Sequence, residues 1–137
     1  MNWRRIGLIA VVAGSAVFVG RVLLAPPPPA TGAAMASVVV PELSAGAQAG
    51  ESLFNRSCAA CHGADAAGQG GVAPPLVHKI YEPSHHGDAA FHLAAGNGVR
   101  AHHWGFGNMP PVEGITDPEL EKIVLYVREL QRANGIL

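Results

Sequence analysis

The sequence predicts a small, nearly all-α domain over residues 46–137, preceded by an apolar N-terminal segment (1–25) and a Pro/Ala/Gly-rich linker (26–45). Three observations predict it. Leu120, Ile123, Val124, Val127 and Leu130 recur at helical spacing. Strand signals are weak: Val38-Val39-Val40 is a candidate short strand, but Pro41 bounds it and no partner is evident. A Cys-x-x-Cys-His run near the start of the domain marks a prosthetic-group or metal site around which so short a chain can build a core.

The N-terminal segment comes first. Met1-Asn2-Trp3-Arg4-Arg5 is basic, residues 6–20 are uncharged and apolar or small, and Arg21 interrupts before the run resumes to Ala25. A cleaved signal peptide shares this start, but Leu23-Leu24-Ala25 followed by Pro26 is a poor cleavage site, and Ala34-Met35-Ala36 lies far beyond the apolar run. The favoured reading is a retained transmembrane helix. Residues 6–25 make about 30 Å of helix, enough for the hydrocarbon core, and Arg21 sits one turn from its end, where it can snorkel. Arg4 and Arg5 keep the N-terminus cytoplasmic and export the rest. The expected location is therefore a bacterial inner membrane, single-pass, with the C-terminal domain in the periplasm. The alternative is a soluble periplasmic protein after cleavage.

Pro26-Pro27-Pro28-Pro29 favours a stiff polyproline II spacer, and residues 30–44 read as a flexible tether. A first helix is expected over about 45–56, with Gly50 and Phe54 on one face. A second is expected over 89–95, with Asp88 as N-cap and Gly96 as C′ residue. The third opens on Thr116-Asp117-Pro118-Glu119, which offers an N-cap, proline at the first helical position and acid in the first turn. Arg128 and Arg132 sit toward its C-terminal end, where cations suit the dipole.

Charge excludes some functions. From Glu42 onward there are six Lys+Arg against ten Asp+Glu, a formal −4. That balance argues against nucleic acid and against tight binding to anionic lipid, and it permits a protein partner with a basic docking patch. An ordinary solvated surface accounts for it equally well.

The run Cys58-Ala59-Ala60-Cys61-His62 carries the chemistry. Two thiols two residues apart can each form a thioether to one of the two vinyl groups of a haem, and the next histidine can then ligate the iron from below. A zinc half-site is the first rival, but zinc needs four ligands and the chain has two cysteines, so histidines would have to complete it. A redox dithiol is the second, but no βαβ pattern follows. The expected cofactor is one covalent haem c, with Cys58 and Cys61 as thioether donors and His62 as axial ligand. For the sixth position, Met109 in Gly107-Asn108-Met109-Pro110-Pro111 is the methionine that follows the motif; Met1 and Met35 precede it. Its Gly/Pro-rich setting suits an ordered loop against a haem face better than core filler.

With these residues in view, the domain resembles class I c-type cytochromes over residues 46–137. The motif lies near the start, the Met109-Pro110 loop follows, and an amphipathic helix closes the chain. Gly50 and Phe54 match the family's first helix and Tyr126 the aromatic of its last. The resemblance implies that these helices cross near-perpendicularly, the glycine allowing close approach. Pro74-Pro75-Leu76 resembles the loop in which a proline carbonyl accepts a hydrogen bond from the ligating histidine, which assigns that role to Pro74. The implied fold is a cytochrome c-like domain wrapped around its haem, and the apo-protein is expected to fold poorly.

Six further histidines, His78, His85, His86, His92, His102 and His103, include two adjacent pairs. Exposed loop and helix histidines are the plain reading. An alternative iron ligand from His102 or His103, a copper or zinc site, and pH tuning of a redox potential stay open beside it. Trp104 and Asn108 share the segment: the indole N–H suits either a propionate or core packing, and Asn108 the Met109 sulfur.

The expected function is one-electron transfer by a His/Met-ligated haem, without enzymatic activity and without a small-molecule substrate. The partners would be redox proteins, namely a membrane oxidase, reductase or bc-type complex. The alternatives are a cytochrome module of a larger oxidoreductase, a haem enzyme or gas sensor with an open distal face, and a copper-handling protein using the histidine pairs.

Overall fold

A computed structural model describes residues 32–137. The expected transmembrane helix (1–25) and the tetraproline spacer lie outside the described residues. Among the described residues no helix is long and apolar enough to cross a membrane.

Four α-helices order the domain: α1 (Ala45–Ser57), the single turn α2 (Ala59–His62), α3 (Asp88–Asn97) and α4 (Asp117–Ala133). Short 3₁₀ turns cover Ala64–Ala66 and Lys79–Tyr81. The described residues hold no β-strand, only the isolated bridges Gln69–Ala73 and Val99–Met109. The fold is mostly helical, as the patterning predicts.

The core forms where α1 crosses α4. Ala47 and Phe54 meet Leu120, Ile123, Tyr126, Val127 and Leu130, all buried. The Phe54 and Tyr126 rings lie 5.5 Å apart at 56°, a tilted aromatic pair. Gly50 sets the separation: a Cβ there would stand 1.9 Å from the Lys122 carbonyl oxygen and 3.0 Å from the Tyr126 Cβ. The close approach expected from the resemblance is therefore present.

The caps tie the two helices together. Ser44 caps α1 by accepting from the Ala47 amide (3.3 Å), while its own amide and hydroxyl donate to the Glu129 carboxylate of α4 (3.0 and 2.7 Å). Those two bonds hold Glu129 below its ordinary range. At the N-terminus of α4, Glu119 accepts from the Thr116 amide (3.0 Å) and hydroxyl (2.8 Å), and Arg56 from the end of α1 donates to it (2.9 Å). Arg56 first, then Thr116, pull the Glu119 carboxyl down from 4.5 to about 2. A depressed carboxyl stabilises above its unfolded pKa, so this contribution is complete above pH 4.5 and is lost as pH falls toward about 2. Denaturation between those limits should show a shallower acid slope for Glu119→Gln than for the parent. Equal slopes would assign the acid sensitivity to other groups.

Several expectations change. Asp88 is the first residue of α3, not its cap; Gly87 precedes it, and the Asp88 carboxylate accepts from Arg128 Nε (2.8 Å). Helix α3 runs to Asn97 and stops at Gly98, whose φ of 74° favours glycine. Asp117 opens α4, so Pro118 is its second residue. The stretch expected as flexible tether lies along the domain from Gly32 onward. Met35 and Ala36 amides both donate to the Ala67 carbonyl at 3.0 Å, and Gly70 donates to the Ala33 carbonyl at 2.9 Å. Val39 exchanges two hydrogen bonds with the Asn134 side chain (2.9 and 2.8 Å), so the valine run finds an amide rather than a strand. Val38 and Leu43 pack on the core. Burying these side chains and pairing these amides offsets the entropy of ordering the segment.

Candidate functional site

A cavity of about 560 Å³ opens into the core between α1, α3, α4 and the loops that join them. Cys58, Cys61, His62, Pro74 and Met109, the five residues singled out by sequence, all line it. Most of the remaining lining is carbon, from Phe54, Leu76, Phe91, Val99, Leu120 and Ile123 among others.

The Cys58–His62 stretch is positioned by tight backbone turns. Cys58 closes α1 by donating to the Phe54 carbonyl (2.7 Å), and its own carbonyl accepts from the amides of Cys61 and His62 (3.1 and 2.9 Å). Buried Gln69 steadies the turn, its amide donating to the Ala59 and Ala60 carbonyls (3.2 and 2.7 Å). The two thiols are not bonded to each other. Burial first, then the neighbouring Cys61, pushes the Cys58 thiol up to about 11.

After His62 the chain reverses through Gly63 and two left-handed non-glycine residues, Asp65 (φ 53°) and Ala66 (φ 56°). This loop returns the backbone so that the Pro74 carbonyl stands 2.9 Å from His62 Nδ1. A carbonyl can only accept, so Nδ1 carries the proton and Nε2 is left with its lone pair. Burial lowers the pKa of the imidazole, and the Pro74 bond opposes that shift.

Met109 is held from the backbone. It exchanges two hydrogen bonds with Val99, both 2.9 Å. Gly98 makes room for this bridge, since a Cβ there would stand 2.6 Å from the Met109 carbonyl oxygen. The Asn108 side-chain oxygen accepts from the Ala101 amide (3.0 Å), so Asn108 closes the 101–108 loop. Trp104 stacks on Phe106, with centroids 5.9 Å apart, and its indole N–H is buried without a well-formed hydrogen bond. Burial raises the Tyr81 phenol, and the Trp104 indole pulls it the other way.

Two residues that hold the site were not singled out by sequence. Arg128, expected as a dipole cation, is buried. Beyond its bond to Asp88, its guanidinium donates to the carbonyls of Tyr81 (2.8 Å) and His86 (2.5 Å) and to the Gln131 side chain (2.6 Å). It also lies 5.0 Å from the centroid of the Phe91 ring. Gln131 donates to the Leu76 and Tyr81 carbonyls (2.8 and 3.0 Å). The available signal was position: 128 is four beyond Val124 and 131 four beyond Val127, so both extend the buried stripe.

His86, His102 and His103 also line the cavity, His102 and His103 at its exposed edge. Burial and the neighbouring imidazoles of His102, His86 and His85 lower the His103 pKa.

A large apolar cavity in a domain this small suits a large, flat, apolar group. Two free thiols and an imidazole with a fixed lone pair fit haem c in particular. Fold and site together define a covalent haem-binding domain. The family model "Cytochrome c" matches residues 47–131, and the chain belongs to the cytochrome c family. Its domain carries covalently bound haem c, with Cys58 and Cys61 at the attachment spacing, and supports haem-based electron transfer. No curated protein and no solved structure matches the chain.

Proposed function

We propose that this protein is a class I, mono-haem cytochrome that carries one electron at a time. The observation that carries this reading is that Met109, pinned by its backbone to Val99, lines the same cavity as His62. Cys58 and Cys61 would hold the haem as thioethers, and His62 and Met109 would take the two axial positions. The bound haem supplies the one-electron iron couple.

The chain's residues do the rest. Pro74 orients the His62 ring and fixes its tautomer, which leaves Nε2 to ligate. The Val99 bridge fixes the Met109 backbone beside the cavity. The apolar walls keep water out, and methionine sulfur favours the ferrous form, which raises the potential. With His62 and Met109 both holding the iron, no position would be left for a substrate. The protein then acts as a carrier rather than an enzyme.

Val72 and Leu93, both on the cavity lining, are exposed, and such an apolar rim suits a brief contact with a redox protein. We assign residues 1–25 to an uncleaved inner-membrane anchor and the haem domain to the periplasm. A membrane oxidase, reductase or bc-type complex is then the partner class, reached at raised effective concentration through the linker. The test is optical. The ferric protein should show a weak sulfur-to-iron charge-transfer band in the red, and the native ferrous protein should bind carbon monoxide poorly. Absence of the band together with ready carbon monoxide binding would overturn the carrier reading.

A further inference from the structure

Four histidines that form two separate pairs in the sequence meet in space. His85 and His86 lie in the loop before α3, and His102 and His103 in the loop after it. Nε2 of His85 stands 3.4 Å from Nε2 of His103. One ring nitrogen from each of His85, His86 and His103 falls within 4.8 Å of the others. The His85–His86 and His86–His103 ring centroids are 4.7 and 5.3 Å apart.

We propose that His85, His86 and His103 form a binding site for a divalent first-row transition ion, Zn²⁺ or Cu²⁺, that bridges the two loops at the rim of the haem cavity. Nitrogen is the donor that suits both ions. Two imidazole nitrogens on one tetrahedral ion, each about 2.0–2.1 Å away, stand about 3.3–3.4 Å from each other. The His85–His103 separation matches that spacing. A weak ring-to-ring hydrogen bond also spans 3.4 Å, so it is the third imidazole, from His86, that marks the cluster as a metal site.

His86 has its tautomer set. Its Nδ1 donates to the Ile80 carbonyl (2.7 Å), which leaves Nε2 unprotonated, and its backbone carbonyl is gripped by buried Arg128. His85 and His103 are exposed and His86 is half-buried, so an ion can enter from solvent. Three imidazoles leave the fourth tetrahedral position to water. The bound ion would tie the loop anchored by Arg128 to the loop that leads to Met109.

The test uses the haem-loaded full-length protein titrated with zinc chloride by calorimetry and, separately, with cupric ion followed by electron paramagnetic resonance. We expect one saturable equivalent per chain for at least one of the two ions. His85→Ala/His103→Ala should weaken it by more than about 100-fold, beyond what loss of an outer-sphere partner costs. His92→Ala, outside the cluster, should leave it unchanged. Binding of one ion but not the other assigns the metal. If Cu²⁺ binds, its spectrum in the parent protein should show splitting from several nitrogen ligands, a readout that does not depend on how the variants fold. No saturable binding of either ion, equal affinity in the double variant, or a cupric spectrum without nitrogen coupling would overturn the proposal. The site rests on Met109 rather than His103 filling the iron's sixth position, which the red charge-transfer band reports separately from metal binding.

Discussion

Gly50→Ala should lower the stability of the haem-loaded protein by about 3 kcal/mol, at the upper end of overpacking costs. Two effects oppose each other. Alanine in a helix interior gains up to about 1 kcal/mol over glycine from propensity alone. The added Cβ, however, would stand 1.9 Å from the Lys122 carbonyl oxygen. The obstacle is backbone rather than the end of a flexible side chain, so α1 and α4 must separate. That separation also loosens the Phe54–Tyr126 pair and the wall of the cavity behind it. The clash wins, and the thermal midpoint should fall by more than about 10 °C for a domain of this size. A midpoint equal to the parent's would mean that the crossing slides at no cost.

Met109→Ala should leave the haem covalently attached and change its chemistry. Attachment depends on Cys58 and Cys61, which the substitution does not touch. The backbone bridge to Val99 also survives, since alanine keeps the amide and the carbonyl. Loss of the thioether should remove the red charge-transfer band, admit carbon monoxide to the ferrous protein, and lower the potential by on the order of 0.1 V. Axial ligands and their surroundings span roughly 0.8 V, so that is a modest part of the range. An unchanged spectrum would hand the sixth position to His102 or His103, which line the same cavity.

The residues behind these two predictions were legible in the sequence for different reasons. Met109 stood out because it follows the Cys-x-x-Cys-His run inside a Gly/Pro loop. Gly50 stood out by its four-residue spacing to Phe54 and by resemblance. Arg128 reads as a cation that suits the α4 dipole, and nothing local says that three carbonyls and a carboxylate will surround it. Residues 33–44 read as tether because Ala, Gly and Ser carry no period. The Met35 and Ala36 amides are satisfied by Ala67, Val39 by Asn134 and Ser44 by Glu129, residues far along the chain.

What the sequence by itself determined was local chemistry: the thiol spacing, the adjacent imidazole and the α4 stripe. Each depends on groups within a few residues, where helix pitch and covalent geometry dictate who meets whom. Only the tertiary structure decided which groups surround Arg128 and that His85 and His86 converge with His103 across α3. The His85–His103 and Arg128–Tyr81 meetings join residues 18 and 47 positions apart. Their geometry comes from how α1 and α4 cross and how the loops close over the cavity, which no local pattern encodes.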